Sequence, residues 1–335
     1  MIFFLMDLLY SVFTFFSVSV MKRSAVFVVL LALTIQAGAQ TYSPYQFLRV
    51  NTSARAAALA EATVASIEDT TYNMLNPASG FFTPAGKFSA TFIKHVADIN
   101  GGMAGYTMES AKKAKLTFFA SYMSLGSFEG RDAFGNATGR TLTAGALSMN
   151  AMYSQEIDSG FHAGVGVNLI SAQYPDVQST AIALSGGLLY HIPNSRWNMG
   201  LSILNVGTQL SKVGNNSEPL PTDVRLGATH RLRGLPLLFN FSFHHLAERN
   251  VALFDGFKNF SVGGEFYVGK VLQLRVGYNN TLRRASSFPV SSRLAGISMG
   301  VGIVTKKITL DYALTNMMSG IMVHRLSVQA SVDSL

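Results

Sequence analysis

Val271-Leu-Gln-Leu-Arg-Val-Gly-Tyr-Asn279 alternates residue by residue between two kinds of surface. Leu272, Leu274, Val276 and Tyr278 fall on one face of an extended strand, and Gln273, Arg275, Gly277 and Asn279 on the other. Ile308-Thr-Leu-Asp-Tyr-Ala-Leu314 repeats the pattern with Asp311 on its polar side. A charge at every second position is foreign to a sandwich core. It suits a wall with lipid on one side and a wet lumen on the other. Outward from these segments, about fourteen such stretches fill residues 87–335. Most are about ten residues long, the length a tilted strand needs to cross a bilayer. The links between them alternate between brief (Glu156–Ser159, Arg233–Gly234, Gly269–Lys270) and long (126–139, 207–220, 248–257, 283–291). Outer-membrane barrels combine short turns on one side with long loops on the other. The expected fold is therefore all-β: a transmembrane antiparallel β-barrel of about fourteen strands in the outer membrane, in contact with its lipid.

Composition agrees. Only 13% of the 335 residues are charged and 48% are hydrophobic, against about 25% charged in soluble domains. After the N-terminal region no apolar run approaches the roughly 20 residues of a membrane helix. Cysteine is absent, which removes disulfides, thiolate metal sites and cysteine nucleophiles. The net charge of +8 is dispersed through pairs such as Lys112-Lys113 and Arg283-Arg284, without the basic stripe and reading element of a nucleic-acid binder.

The N-terminus carries a targeting pattern. Met21-Lys-Arg-Ser24, an apolar core over 25–35 and Ala37-Gly38-Ala39 form the three parts of a secretory signal peptide. Residues 21–39 are accordingly expected to be a leader. Residues 1–20 read as an upstream extension from a misplaced start, the alternative being an N-terminal membrane helix that lacks a basic anchor.

Residues 40–86 do not alternate. Ser53-Ala-Arg-Ala-Ala-Ala-Leu-Ala-Glu-Ala-Thr-Val-Ala-Ser66 is alanine-rich with good helix propensity, and Ser53 or Thr52 can cap it. Small side chains allow close packing in a confined space, so the segment is expected to fold into the barrel as a partly helical hatch. A periplasmic linker is the other reading. Alternation turns Arg225, Glu265, Arg275 and Asp311 toward the lumen. With Arg55 of the hatch they form a candidate polar network, either bracing the interior and gripping a plug or lining an ion pathway. Phe128 and Phe134, in the long link 126–139, are candidate anchors for a protein partner.

No hydrolase elbow, zinc-protease helix or phosphate loop occurs. His244-His245 point to opposite faces of a strand and cannot converge on a metal. The sequence therefore suggests no enzyme, no cofactor and no metal.

Several motifs carry a family resemblance. Tyr45-Gln-Phe-Leu48 precedes Ser53-Ala-Arg-Ala-Ala-Ala-Leu59, and Glu68-Asp69 and Asn76-Pro-Ala78 follow. Further on come Phe260-Ser-Val-Gly-Gly-Glu-Phe266, Leu274-Arg-Val-Gly-Tyr-Asn-Asn280, Ala295-Gly-Ile-Ser-Met-Gly-Val-Gly302 and His324-Arg-Leu-Ser327. Together they resemble the PorV/PorQ family of FadL-like outer-membrane barrels, most closely its PorQ branch. The resemblance implies a fourteen-stranded barrel with the N-terminal segment inside as a hatch. It also implies a non-enzymatic anchoring or docking role in the type IX secretion system surface-attachment complex, beside PorZ-, PorU- and PorV-like proteins. A FadL-like channel for hydrophobic small molecules is the alternative. In two places the chain departs from the family pattern. Ala60-Glu61 stand where members often carry glycines, and the chain ends Ser331-Val-Asp-Ser-Leu335 without the usual terminal aromatic.

Overall fold

The structure is a computed structural model. It describes residues 45–335 except 68, 97–98, 112, 133, 176, 193–194, 212–217, 248–252, 287–293, 319–320 and 332–335. The expected upstream extension and leader lie outside the described residues.

Fourteen strands form the wall: β1 (Lys87–Lys94), β2 (Asn100–Ala111), β3 (Ala114–Arg131), β4 (Ala137–Asp158), β5 (Phe161–Tyr174), β6 (Val177–His191) and β7 (Trp197–Gln209), then β8 (Asp223–Arg231), β9 (Leu237–Phe243), β10 (Phe260–Val268), β11 (Leu272–Asn279), β12 (Ile297–Val304), β13 (Ile308–Met318) and β14 (Ile321–Ser331). Each pairs antiparallel with its sequence neighbours. β1 pairs with β14, from Lys87 opposite Ser331 to Lys94 opposite His324, which closes the barrel. Closure satisfies every edge, as a spanning sheet in lipid requires. No helix among the described residues is long and apolar enough to cross a membrane.

The two faces sort as alternation demands. In β11, Leu274 and Val276 are about half exposed on the outside, while Arg275 between them is buried. Exterior apolar residues recur on every side, for example Phe92, Leu169, Leu184, Met299 and Leu326. Such a belt would aggregate in water and is stable in hydrocarbon. Aromatic residues gather toward the rim of short turns, where Phe88, Tyr106 and Phe118 are successive cross-strand partners, matching the interfacial girdle of such barrels. Phe119 faces inward instead, packed with Met103 and Met152 against Met74 of the hatch.

Two expectations about the links change. Link 126–139 is mostly strand. β3 runs on to Arg131 and β4 begins at Ala137, with Phe128 opposite Leu142 and Glu129 opposite Thr141. The β-branched Thr138, Thr141 and Thr143 favour extension, so only a tight turn separates the strands. The link expected at 283–291 starts earlier: β11 ends at Asn279, and a short helix, Asn280–Ala285, follows, whose cap Asn279 accepts from Thr281 and Leu282 N–H at 2.9 and 3.1 Å.

Inside the barrel lie 3-10 turns at Gln46–Arg49, Thr70–Met74 and Pro77–Phe82 and one α-helix, α1 (Ala54–Ala58). The interior is only patchily apolar. Its buried residues include many Ser, Thr and Asn, which suits a lumen filled by a folded segment rather than a hydrocarbon core.

The assignment of a lipid-facing belt gives a direct test. Val276→Arg, on the lipid face, should destabilise the folded barrel by about 2–4 kcal/mol, whereas Thr141→Arg, beyond the wall, should be nearly neutral. Urea unfolding in liposomes checks this, and equal effects at the two sites would contradict the assignment.

Candidate functional site: the hatch and its ionic seat

The hatch starts from local capping. Ser53 Oγ accepts the Ala56 N–H at 3.1 Å and begins α1. The helix is far shorter than its alanine content allows. Glu61 N–H donates to Ala56 O at 2.8 Å and Ala60 N–H to Ala57 O at 3.0 Å, the paired bonds of a Schellman ending. Ala60 and Glu61 both adopt left-handed φ values, 54° and 64°. The backbone thus makes a turn normally suited to glycine without having one, and stores strain there. The reversal lets the next residues run along the wall instead of into its opposite side.

Close contact is possible because small residues meet on both sides. Ala54, Ala57 and Ala58 pack on Ala313 of β13. A methyl group added at Gly277 would lie 2.5 Å from the backbone of Leu59 and Ala60, so only glycine fits below this turn.

The ionic core sits beside that contact. Arg55 of α1 donates to both Glu265 oxygens, Nε at 3.1 Å and Nη2 at 2.7 Å. This two-point geometry fixes orientation as well as charge. Glu265 stands opposite Arg275 in the β10–β11 register and accepts its Nε at 2.6 Å. Arg275 Nη1 continues to Asp311 Oδ1 at 2.6 Å. That pair crosses β12 at Gly302, where a Cβ would lie 2.5 Å from Asp311 and 2.6 Å from Arg275. Tyr267 donates a further hydrogen bond to Glu265 at 3.1 Å. From the hatch, Asp69 Oδ2 lies 3.9 Å from Arg55 and accepts from Gln329 of β14 at 2.6 Å. Arg55, Glu265, Arg275 and Asp311 are all at least 96% buried. The charges compensate one another across four elements, which is what permits them in a dry interior.

Arg225 is not in this network. It lies deep in β8, pairs with Asp223 at 2.7 Å and reaches Glu61 of the hatch at 3.2 Å. It is a second tie between wall and hatch. None of Asp69, Asp223 and Glu61 is among the polar residues that the sequence places in the network. Asp223 could have been, since Asp223-Val-Arg225 puts both charges on one strand face. Asp69 could not, because the hatch has no period to orient it.

The two aromatic residues occupy a different place. β2 stops accompanying β3 at Asn100 opposite Ser124, and β5 stops accompanying β4 at Gln173 opposite Gly145. Residues 125–144 therefore form a two-stranded ribbon beyond the wall. Asp132 organises its tip by accepting from Phe134 N–H at 2.9 Å, Asn136 N–H at 2.8 Å and Asn136 Nδ2 at 3.0 Å. Those Asn136 bonds hold its carboxyl below the usual carboxylate range. Phe134, carried on this ordered turn, is 90% exposed, and Phe128 is 56% exposed. The structure brings neither aromatic near the ionic core. No group of three or more metal-ligating side chains occurs among the described residues.

No protein-family model matches the chain, and no curated protein matches it in sequence. Solved structures do share the architecture. A Pseudomonas aeruginosa FadL homologue matches with a TM-score of 0.53 at 10% identity, over 84% of this chain and 98% of that one. The Pseudomonas putida toluene transporter TodX matches with a TM-score of 0.52 at 13% identity, over 82% and 96% of the two chains. At these identities the likeness is one of fold: the barrel is FadL-like.

Two substitutions probe the seat in opposite directions. Glu265→Ala leaves Arg55 and Arg275 without their shared carboxylate and should cost about 3–5 kcal/mol, with the hatch becoming sensitive to added protease. Ala60→Gly removes left-handed strain and should stabilise by roughly 0.5–1 kcal/mol. Urea midpoints and limited proteolysis of the reconstituted barrel report both; an Ala→Gly loss or an unchanged Glu265 variant would count against this account.

Proposed function

We propose that this chain is a member of the PorV/PorQ family and a non-enzymatic, outer-membrane anchoring subunit of the type IX secretion system surface-attachment complex. In this role it docks PorZ-, PorU- and PorV-like proteins. The observation that carries the reading is the ribbon 125–144, which projects an ordered turn and two exposed phenylalanines beyond a wall whose lumen is plugged. Exposed aromatics on a rigid support are strong candidates for binding hot spots, because little entropy is lost when they are covered. The motif resemblance in the hatch and in β10–β12 supports the family assignment.

A channel for hydrophobic small molecules is the second reading, favoured by the fold shared with a toluene transporter. A cavity between hatch and wall is lined in part by Phe47, Leu48, Met74 and Met152. Its volume is about 70 Å³, against on the order of 150 Å³ for an apolar cavity that takes benzene. Transport would therefore require the hatch to move.

Affinity capture from gently solubilised outer membranes separates the two. The full-length protein should recover surface proteins in near-stoichiometric amounts. A variant with 126–143 replaced by a two-residue turn should lose them while remaining a folded barrel, and Phe134→Ala should weaken recovery several-fold. Undiminished recovery by the shortened variant ends the docking proposal. Absence of partners, together with toluene flux through the reconstituted protein, supports the channel instead.

A further inference from the structure

Arg55, Arg225 and Arg275 each hold a carboxylate at 2.6–2.7 Å. Arg325 of β14 does not. It is 95% buried, yet among the described residues its hydrogen bonds run only from Nε to the Asn51 carbonyl at 2.8 Å and from Nη1 to Thr315 Oγ1 at 3.1 Å. No carboxylate lies within salt-bridge range of it among the described residues. Both of its acceptors are neutral, and its Nη2 makes no bond there. A buried guanidinium with no carboxylate in direct contact is costly, and buried arginines are otherwise almost always paired.

The space beside Arg325 explains what could balance it. A cavity of about 280 Å³ lies between Arg49–Asn51 of the hatch and the wall formed by β11–β14. It is on the side of the long links, beneath His95 and His245. Its polar lining is rich in donors. Asn51 Nδ2 and Ser298 Oγ are buried without hydrogen-bond partners, and both residues border the cavity. His95 Nδ1 accepts the Val96 N–H at 2.9 Å, which leaves Nε2 as the donor of the neutral ring. Burial, and then the charge of Arg325, hold His95 below the ordinary histidine value and keep it neutral. One carboxylate, Glu61, borders the cavity, and it is already engaged by Arg225 at 3.2 Å. His245 has Asp223 Oδ2 at 3.2 Å.

We infer that this cavity is a binding site for an oxyanion, the phosphate or carboxylate group of a compact solute, held by Arg325 together with Asn51 and Ser298. A guanidinium edge flanked by amide and hydroxyl donors is the chemistry that recognises planar or tetrahedral oxyanions. The volume admits a compact ligand. Binding there would also tie the hatch to β14 and β12, a contact independent of the Glu265 seat.

The test uses the full-length protein in detergent, in chloride-free buffer at constant ionic strength. Inorganic phosphate and acetate are titrated separately while thermal unfolding is followed, since a ligand that binds only the folded state raises the unfolding temperature saturably. At least one should do so, and chloride, which offers no oxygen acceptors, should not reproduce the effect. Phosphate response alone assigns a phosphoryl ligand, and acetate response alone a carboxylate. Arg325→Gln should move the half-saturating concentration at least about tenfold upward, the loss expected for a charge-assisted bond. Ser298→Ala, which deletes only a hydroxyl, should shift it several-fold and keeps the test valid should the arginine variant fail to fold. A non-saturable response, one matched by chloride, or one unchanged in Ser298→Ala overturns the site. The ribbon-shortened barrel should retain the anion response, so the fate of the docking proposal and of this site are read separately.

Discussion

Glu265 joins the hatch to the wall through one carboxylate. It accepts from Arg55 on the hatch side and from Arg275 on the wall side, and it is wholly buried. Removing any of the three leaves charge in a dry lumen, so they are held together by the penalty for separation more than by the strength of each bond. The remaining architecture serves this contact. Strand register sets Glu265 opposite Arg275, and Ser53 starts the helix that carries Arg55 at the height of Glu265.

Steric allowance matters as much as charge. The hatch presents alanines, and the wall meets them with glycine at 277; neither side alone would permit this approach. Gly302 similarly opens a path across β12 for the Arg275–Asp311 pair. At Ala60-Glu61 the constraint is strong enough to impose left-handed backbone on residues that resist it. Strain of that kind persists only where the surroundings dictate the path. Here they do so through the paired hydrogen bonds to Ala56 and Ala57.

The wall was legible because its signal is periodic. Lipid outside and lumen inside put a period of two into Leu274-Arg-Val-Gly-Tyr278 and Leu310-Asp-Tyr-Ala-Leu314, and the same alternation turns Arg225, Glu265, Arg275 and Asp311 inward. Partner choice was not legible, since alternation fixes the face of a residue and not its height around a closed sheet. Arg225 was grouped with the others from its face alone, yet the register carries it to Asp223 and Glu61. The ribbon was hidden for the opposite reason. Glycine, asparagine and aspartate in 126–139 read as loop, although only 132–136 turn, because cross-strand pairing outweighs local composition. Nothing in His324-Arg-Leu-Ser327 tells that Arg325 has no carboxylate in salt-bridge range among the described residues. That is a property of fourteen strands and a hatch together.

The energetics of the seat bear on how such a barrel can work. To clear the lumen, α1 must leave the wall, and Arg55 must part from Glu265. Breaking one buried pair of this kind costs about 3–5 kcal/mol, which alone holds the open population to about 10⁻²–10⁻⁴. The Arg225–Glu61 tie acts in the same direction. A solute too weakly bound to recover that cost cannot populate an open state, because a ligand shifts an equilibrium only by its differential affinity. The ribbon faces no such barrier. Its aromatic residues are exposed with the hatch closed, on a turn ordered by Asp132. On the docking proposal, a barrel closed at rest, with aromatic side chains raised beyond the wall, can hold a partner without paying to open its lumen.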